Sequence, residues 1–170
     1  GIVAILVPYK AGIMAKVGKE KVFKSIALSH LLNAYVKVFT GSLAPICGCA
    51  IGAGVGASAA IVYQLKGADF KAITLAINNL ISDLGGMFCD GAKSGCALKV
   101  VSAADSAIRS AYMAMYGYGI TEAEGFVGAT AEATIQNLAR ISNIGMGKVD
   151  SAMLEIMHKK GKARLQAGRP

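Results

Sequence analysis

Tryptophan is absent from this 170-residue chain, proline occurs three times, and charged residues make up only 16% of it. Each scarcity narrows the field. With so few prolines, 21 glycines and abundant alanine, long closely packed helices are the natural reading. No stretch alternates polar and apolar residues with the period of a strand, and there is neither a repeat of fixed length nor a low-complexity segment. Nothing resembles a secretory signal, so the four cysteines belong to a reduced, cytoplasmic setting in which clustered thiols bind metal or do chemistry. The opening Gly-Ile-Val-Ala-Ile-Leu-Val-Pro has the character of the interior of a longer protein.

Hydrophobic residues make up 54%, more than a soluble monomer of one domain needs, so part of that surface faces another domain, another subunit or lipid. The net charge is +8, and the two ends carry it. Residues 1–40 hold six Lys against one Glu, and residues 148–170 hold six basic residues against two acidic. Basic patches of this kind suit nucleic acid, but no recognition motif or interleaved aromatics accompany them. A solvated helix face and a basic tail are the better reading.

The chain divides into helices at its glycines. Residues 2–16 form an apolar helix broken or kinked at Pro8. Residues 19–39 place Val22, Ile26, Leu28, Leu31, Leu32, Tyr35 and Val38 on one inward face, with Lys21, Lys24 and Lys37 off it. Residues 43–63 carry no charge, and Gly48, Gly52 and Gly56 recur at a spacing of four. Such a segment either spans a bilayer or lies at the centre of a soluble bundle; Pro45, two cysteines and the lack of a second comparable span favour the buried helix and no membrane. Residues 69–84 form a helix with Ile73, Ala76, Ile77, Leu80 and Ile81 inward and at least one of Asn78 and Asn79 at the surface. Another runs over 94–116 on Val100, Val101, Ala104, Ile108 and Met115. Thr121-Glu-Ala-Glu124 is a capping box that opens a helix reaching to about Ile141. A last helix over 149–159 precedes a polar tail.

All four cysteines fall in two glycine-rich segments, Ile46-Cys47-Gly48-Cys49-Ala50 and Cys89-Asp90-Gly91-Ala92-Lys93-Ser94-Gly95-Cys96. Their spacing matches neither a zinc ribbon nor a ferredoxin run. The open readings are a four-cysteine zinc site, an unusual iron–sulfur cluster and plain buried small side chains. Lys93 is a candidate for holding a substrate carboxylate or stabilising developing charge, and Asp90 for orienting a ligand or backbone amide; each is equally ordinary at the start of a helix. Ser94 reads as an N-cap, and the amides near Gly91 and Gly95 as a place for a carboxylate. His30 and His158 stand alone, and Met113, Met115, Met153 and Met157 read as packing.

The run from Ser42 to Ser58, together with Met87-Phe-Cys-Asp-Gly-Ala-Lys-Ser-Gly-Cys-Ala-Leu-Lys99, resembles the L-cysteine desulfidase family. That family is related to the alpha chain of the iron–sulfur-dependent L-serine dehydratases. The resemblance covers residues 1–157 and only the C-terminal part of such proteins. It implies an all-α fold, a compact helical domain with a central glycine-rich buried helix, similar to the L-serine dehydratase alpha-chain domain. It implies a single iron–sulfur lyase domain over 1–158 with a basic tail over 159–170, and a cytoplasmic enzyme with a 4Fe-4S cluster and no pyridoxal phosphate. Such enzymes cleave L-cysteine to hydrogen sulfide, ammonia and pyruvate, or L-serine to pyruvate and ammonia. By motif position the resemblance assigns Cys49 and Cys89 as cluster ligands, with Cys96 a further candidate and Cys47 doubtful. It places another ligand cysteine in an N-terminal part that this chain lacks, and Gly1 at the end of the family's Asn-Gln-Gly segment. The expected partners are a small amino-acid substrate, the missing N-terminal part or a partner chain, and further copies in a homo-oligomer, with no nucleic acid and no membrane.

Overall fold

A computed structural model of the chain describes residues 1–166. Among the described residues there are seven α-helices: α1 (Ile2–Met14), α2 (Lys19–Thr40), α3 (Gly48–Lys66), α4 (Phe70–Leu84), α5 (Gly95–Met115), α6 (Ala131–Arg140) and α7 (Val149–Gln166). A π-helical turn, Ile141–Gly145, joins α6 to α7. The architecture is all-α; one isolated antiparallel bridge, Ile46 to Phe88, is the β pairing among the described residues.

Helix α3 is the axis of the bundle, and α1, α2, α4 and α5 pack around it. Every residue from Ala50 to Val62 is buried. The helix is long and apolar enough to cross a membrane, yet its apolar stretch is mostly enclosed by its neighbours, as in a core helix. Its glycines explain the close packing. A Cβ built on Gly56 meets the Ser29 carbonyl oxygen at 2.2 Å, and one on Gly52 meets the Asn33 Oδ1 at 2.7 Å. On another side, a Cβ on Gly54 meets Leu80 at 2.8 Å. Two of these three glycines therefore face α2, which lies almost backbone to backbone against α3.

That approach shifts the face expected for α2: Val22 is buried as expected and Leu32 and Tyr35 pack half-buried on the core, but small residues take most of its innermost positions. Its buried positions are Val22, Ser25, Ser29, Val36 and Thr40, while Leu31 and Val38 are exposed. Large side chains do not fit between backbones this close, so the small ones turn inward. Ser25 and Thr40 bond back to the carbonyls of Val22 and Val36, and Ser25 Oγ also accepts from Gln64 Nε2 of α3. The same preference governs α5. Its buried face is Ala103, Ser106, Ala107, Ser110, Ala111 and Ala114, and the expected Val101 and Ile108 lie outside. Helix α4 follows its periodicity: Ala76, Ile77, Leu80 and Ile81 are buried and Ile73 is half-buried.

Three further boundaries differ from the sequence expectation. Pro8 sits inside α1 without ending it; its carbonyl accepts a 2.8 Å bond from Gln64 Nε2, which also donates to Ser25 Oγ. Only half of the Thr121–Glu124 box forms: Glu124 accepts from the Thr121 amide and hydroxyl, while the Glu124 amide donates to the Thr121 carbonyl, and no helix starts there. Gly125 takes a φ of +61°, a left-handed turn that stops propagation. The helix begins instead at Ala131, capped by Thr130, whose hydroxyl accepts from the Ala133 amide. Helix α7 runs through position 159 to Gln166, and residues 167–170 of the expected tail lie outside the described residues.

Asn78 and Asn79 are both buried, against the expectation that at least one is at the surface. Asn79 donates to the Tyr118 carbonyl and accepts from the Ile120 amide; Asn78 donates to the Ile120 carbonyl and accepts from Thr134 Oγ1. Together they tie the segment between α5 and α6 to α4.

Gly56→Ala is expected to destabilise the fold by about 3 kcal/mol, because the obstacle is backbone and not a side chain that can rotate away. Gly48→Ala, where a Cβ meets nothing within 4 Å, is expected to be neutral or stabilising by up to about 1 kcal/mol. Urea unfolding of the two variants measures both.

Candidate functional site

The bridge between Ile46 and Phe88 brings the two cysteine segments together. The Cys47 amide donates to the Met87 carbonyl at 2.7 Å, and the Cys89 amide donates to the Pro45 carbonyl at 2.6 Å. Cys47 caps the start of α3, Cys49 lies in its first turn, Cys89 follows the end of α4, and Cys96 lies in the first turn of α5. Three helix ends thus meet in one corner. Gly91, at φ +85°, turns the loop so that its carbonyl accepts from Cys96 Sγ at 3.4 Å.

The four thiols are free and differ in environment. Cys47 is buried among core residues, and that burial pushes its thiol pKa up. Cys49 is exposed, and Cys89 and Cys96 are half-buried. Cys49, Cys89 and Cys96 are therefore the accessible thiols, and Cys47 belongs to the packing.

An ion network sits beside them. Lys99 Nζ donates to Asp90 Oδ1 at 2.8 Å and to the Phe88 carbonyl at 2.8 Å, with the Phe88 ring 5.4 Å away. Lys93 pairs with the other carboxylate oxygen of Asp90. The two lysines, Lys93 foremost, hold the Asp90 carboxyl well below its ordinary value, at about 2. Asp90 in turn raises the Lys99 pKa. At neutral pH Asp90 is thus an ionised acceptor that fixes two ammonium groups in the corner. Lys99 was missed in the sequence, although its position three residues after Cys96 puts it near the same face of α5.

Helix α7 closes one side. Asp150, Met153, Leu154 and Met157 line, with Cys89, Asp90 and Gly91, a cleft of about 310 Å³. The expectation that the methionines are packing fails for Met113 and Met157, which are exposed. Ser94 precedes α5 without making a side-chain cap bond. His30 on α2 and His158 on α7 are exposed.

The expected cluster can be tested against this donor set. Among the described residues, no three His, Cys, Asp or Glu side chains stand close enough together to hold a metal ion. This chain by itself does not present a complete ligand set for a 4Fe-4S cluster.

A family model described as the serine dehydratase alpha chain matches residues 1–155. The chain belongs to the serine dehydratase alpha chain family. It is 69% identical to a UPF0597 protein of Elusimicrobium minutum, over 95% of this chain and 38% of that protein. It is 64% identical to a UPF0597 protein of Geobacter sulfurreducens, over 94% of this chain and 37% of that one. A UPF0597 protein of Clostridium tetani is 44% identical over 92% and 37%. The chain thus spans well under half the length of the curated relatives it matches. No solved structure matches it. Family membership carries the association with lyases of the serine dehydratase type; it does not by itself distinguish a desulfidase.

Two outcomes follow. In the folded chain, iodoacetamide is expected to modify Cys49 first and to spare Cys47, as peptide mass spectrometry resolves. Asp90→Asn is expected to lower stability at neutral pH. The folded carboxyl lies below the unfolded value of about 3.9, so the contribution is whole above that value and fades as pH falls toward about 2. Thermal melts of wild type and Asp90→Asn are expected to differ at pH 7 and to converge near pH 2.

Proposed function

We propose that the full-length protein is a lyase that eliminates a β-substituent from a small amino acid, with L-cysteine as substrate and L-serine as the alternative. Family membership supports the reaction type. The observation that carries the reading to this chain is the corner where accessible Cys49, Cys89 and Cys96 adjoin the lysines fixed by Asp90. In such an elimination the α-proton and the β-thiol or hydroxyl leave, and the resulting enamine gives pyruvate and ammonia with water.

Within this chain, Lys93 and Lys99 supply positive charge for the substrate carboxylate. Asp90 positions them, and its low pKa makes it unsuited to donate a proton at neutral pH. Lys93 is the more exposed of the two, so its ammonium is the one a ligand meets first. Cys49, Cys89 and Cys96 are this chain's candidate thiols toward a 4Fe-4S cluster; they do not stand close enough together to hold a metal ion as placed here, so a ligand set would need both their rearrangement and donors from the remainder of the polypeptide. The general base is assigned to that remainder. Four free thiols fit a reduced, cytoplasmic setting.

The test is an anaerobic assay of the full-length protein with L-cysteine and, separately, L-serine, following pyruvate and sulfide. Turnover is expected with at least one of them. Cys89→Ala is expected to abolish it, and Lys93→Met to lower kcat/KM by about 100-fold. Absence of pyruvate from both substrates sinks the lyase reading.

A further inference from the structure

Helix α1 is apolar on every side. Its inward face is Val3, Ala4, Pro8 and Gly12, while Ile2, Ile5, Leu6, Tyr9 and Ile13 form a stripe on the outward face. Lys10 is its one charged residue. A helix of this composition is a core helix, yet here half of it meets solvent. Helix α5 has the same division, with small residues inward and Leu98, Val101, Ile108 and Tyr112 outward, at spacings of three, seven and four. Ile2 is 65% exposed, Val101 64% and Leu98 73%, values far from the rim of an ordinary core. Between α1 and α5 lies an open apolar groove of about 570 Å³, lined by Leu6, Val7, Met14, Ile61, Ile108 and Tyr112, with Lys10 at its edge.

The area says how much is uncovered. The chain exposes 9737 Å². A compact protein of 17.4 kDa exposes about 7,900 Å². The excess, about 1,800 Å², is larger than the roughly 800 Å² that one partner contributes to a standard interface. Helix α7, exposed at nearly every described position, adds to the total, and the α1–α5 face contributes large apolar side chains to the exposed surface.

We propose that the outward faces of α1 and α5 form an internal docking seat, covered in the full-length protein by an apolar helical segment from the polypeptide outside this chain. The share of the relatives names the occupant: more than half of each matched protein lies beyond the 37–38% that this chain spans. The groove's lining is apolar apart from Lys10, so large apolar side chains of the segment suit it. Lys10 at the rim favours an acidic residue at the edge of that segment. The inference is independent of the lyase reading, since it concerns packing and not turnover.

Hydroxyl-radical footprinting of the full-length wild-type protein tests it without any substitution. The native probes are Tyr9 and Tyr112, 39% and 47% exposed in this chain. Covered by the docked segment, both are expected to oxidise at least about tenfold more slowly than in the urea-unfolded protein. Slowing by less than that at either tyrosine overturns the proposal. The measurement is repeated at a concentration at which light scattering shows a monomer. Protection that persists there supports an occupant from the same polypeptide, whereas protection lost on dilution makes the occupant a second copy and overturns it.

Discussion

The bundle depends on the approach of α2 to α3 at Gly56. With the Ser29 carbonyl only 2.2 Å from where a Cβ would stand, no residue but glycine fits there without moving one helix. That one distance sets what every neighbouring position holds. Helix α2 must offer Ser25, Ser29 and Thr40 to α3: the Ser25 and Thr40 hydroxyls bond back to their own helix, Ser25 also accepts from Gln64 of α3, and the Ser29 hydroxyl is buried without a hydrogen-bond partner. Once the inner faces are glycine, alanine and serine, the large apolar side chains that a chain of this composition carries are left with the outer faces. The exposed leucines and isoleucines are therefore a consequence of tight helix packing at the axis.

The same constraint positions the site. Helix α3 can start at Gly48 in the middle of the molecule because its glycines let α2, α4 and α5 crowd around it. The segment that leads into it pairs with the loop after α4 through the Ile46–Phe88 bridge, and that bridge is what makes neighbours of cysteines forty residues apart. Asp90 then anchors two lysines from one short loop and the next helix. Charge is scarce in this chain, and three of its charged groups are spent within ten residues of Cys89. Such concentration beside accessible thiols sets the corner apart from a structural loop.

How far the residues alone lead depends on what they encode. The helix count, the central helix and the bounds of α4 were legible, because glycine breaks and apolar periodicity are local. The inward faces of α2 and α5 were not. Periodicity assigns the core to the largest apolar side chains, whereas here backbone proximity assigns it to the smallest, a tertiary choice with no signal inside either helix. Thr121–Glu124 misled for a related reason: the half-formed box satisfies its own amides, but the left-handed turn at Gly125 decides whether a helix follows. In the site, the clustering of thiols with Lys93 and Asp90 was visible from spacing. The burial of Cys47 and the arrival of Lys99 required the bridge, which two isolated residue pairs make and no sequence pattern announces.

An inverted helix bundle has a physical implication for its full-length context. Packing small faces inward buries less apolar area per helix than packing leucines, so the isolated bundle gains less from burial than its composition allows. Covering the outer stripes of α1 and α5, as proposed, would recover that deficit. The incomplete donor set at the cysteine corner has the same form, accessible thiols without a full complement around them. Packing and ligand chemistry, read separately, both leave unfilled valence on the outside of this chain. A segment seated on the α1–α5 face would add the apolar burial that the small inward faces forgo, whatever completes the cysteine corner.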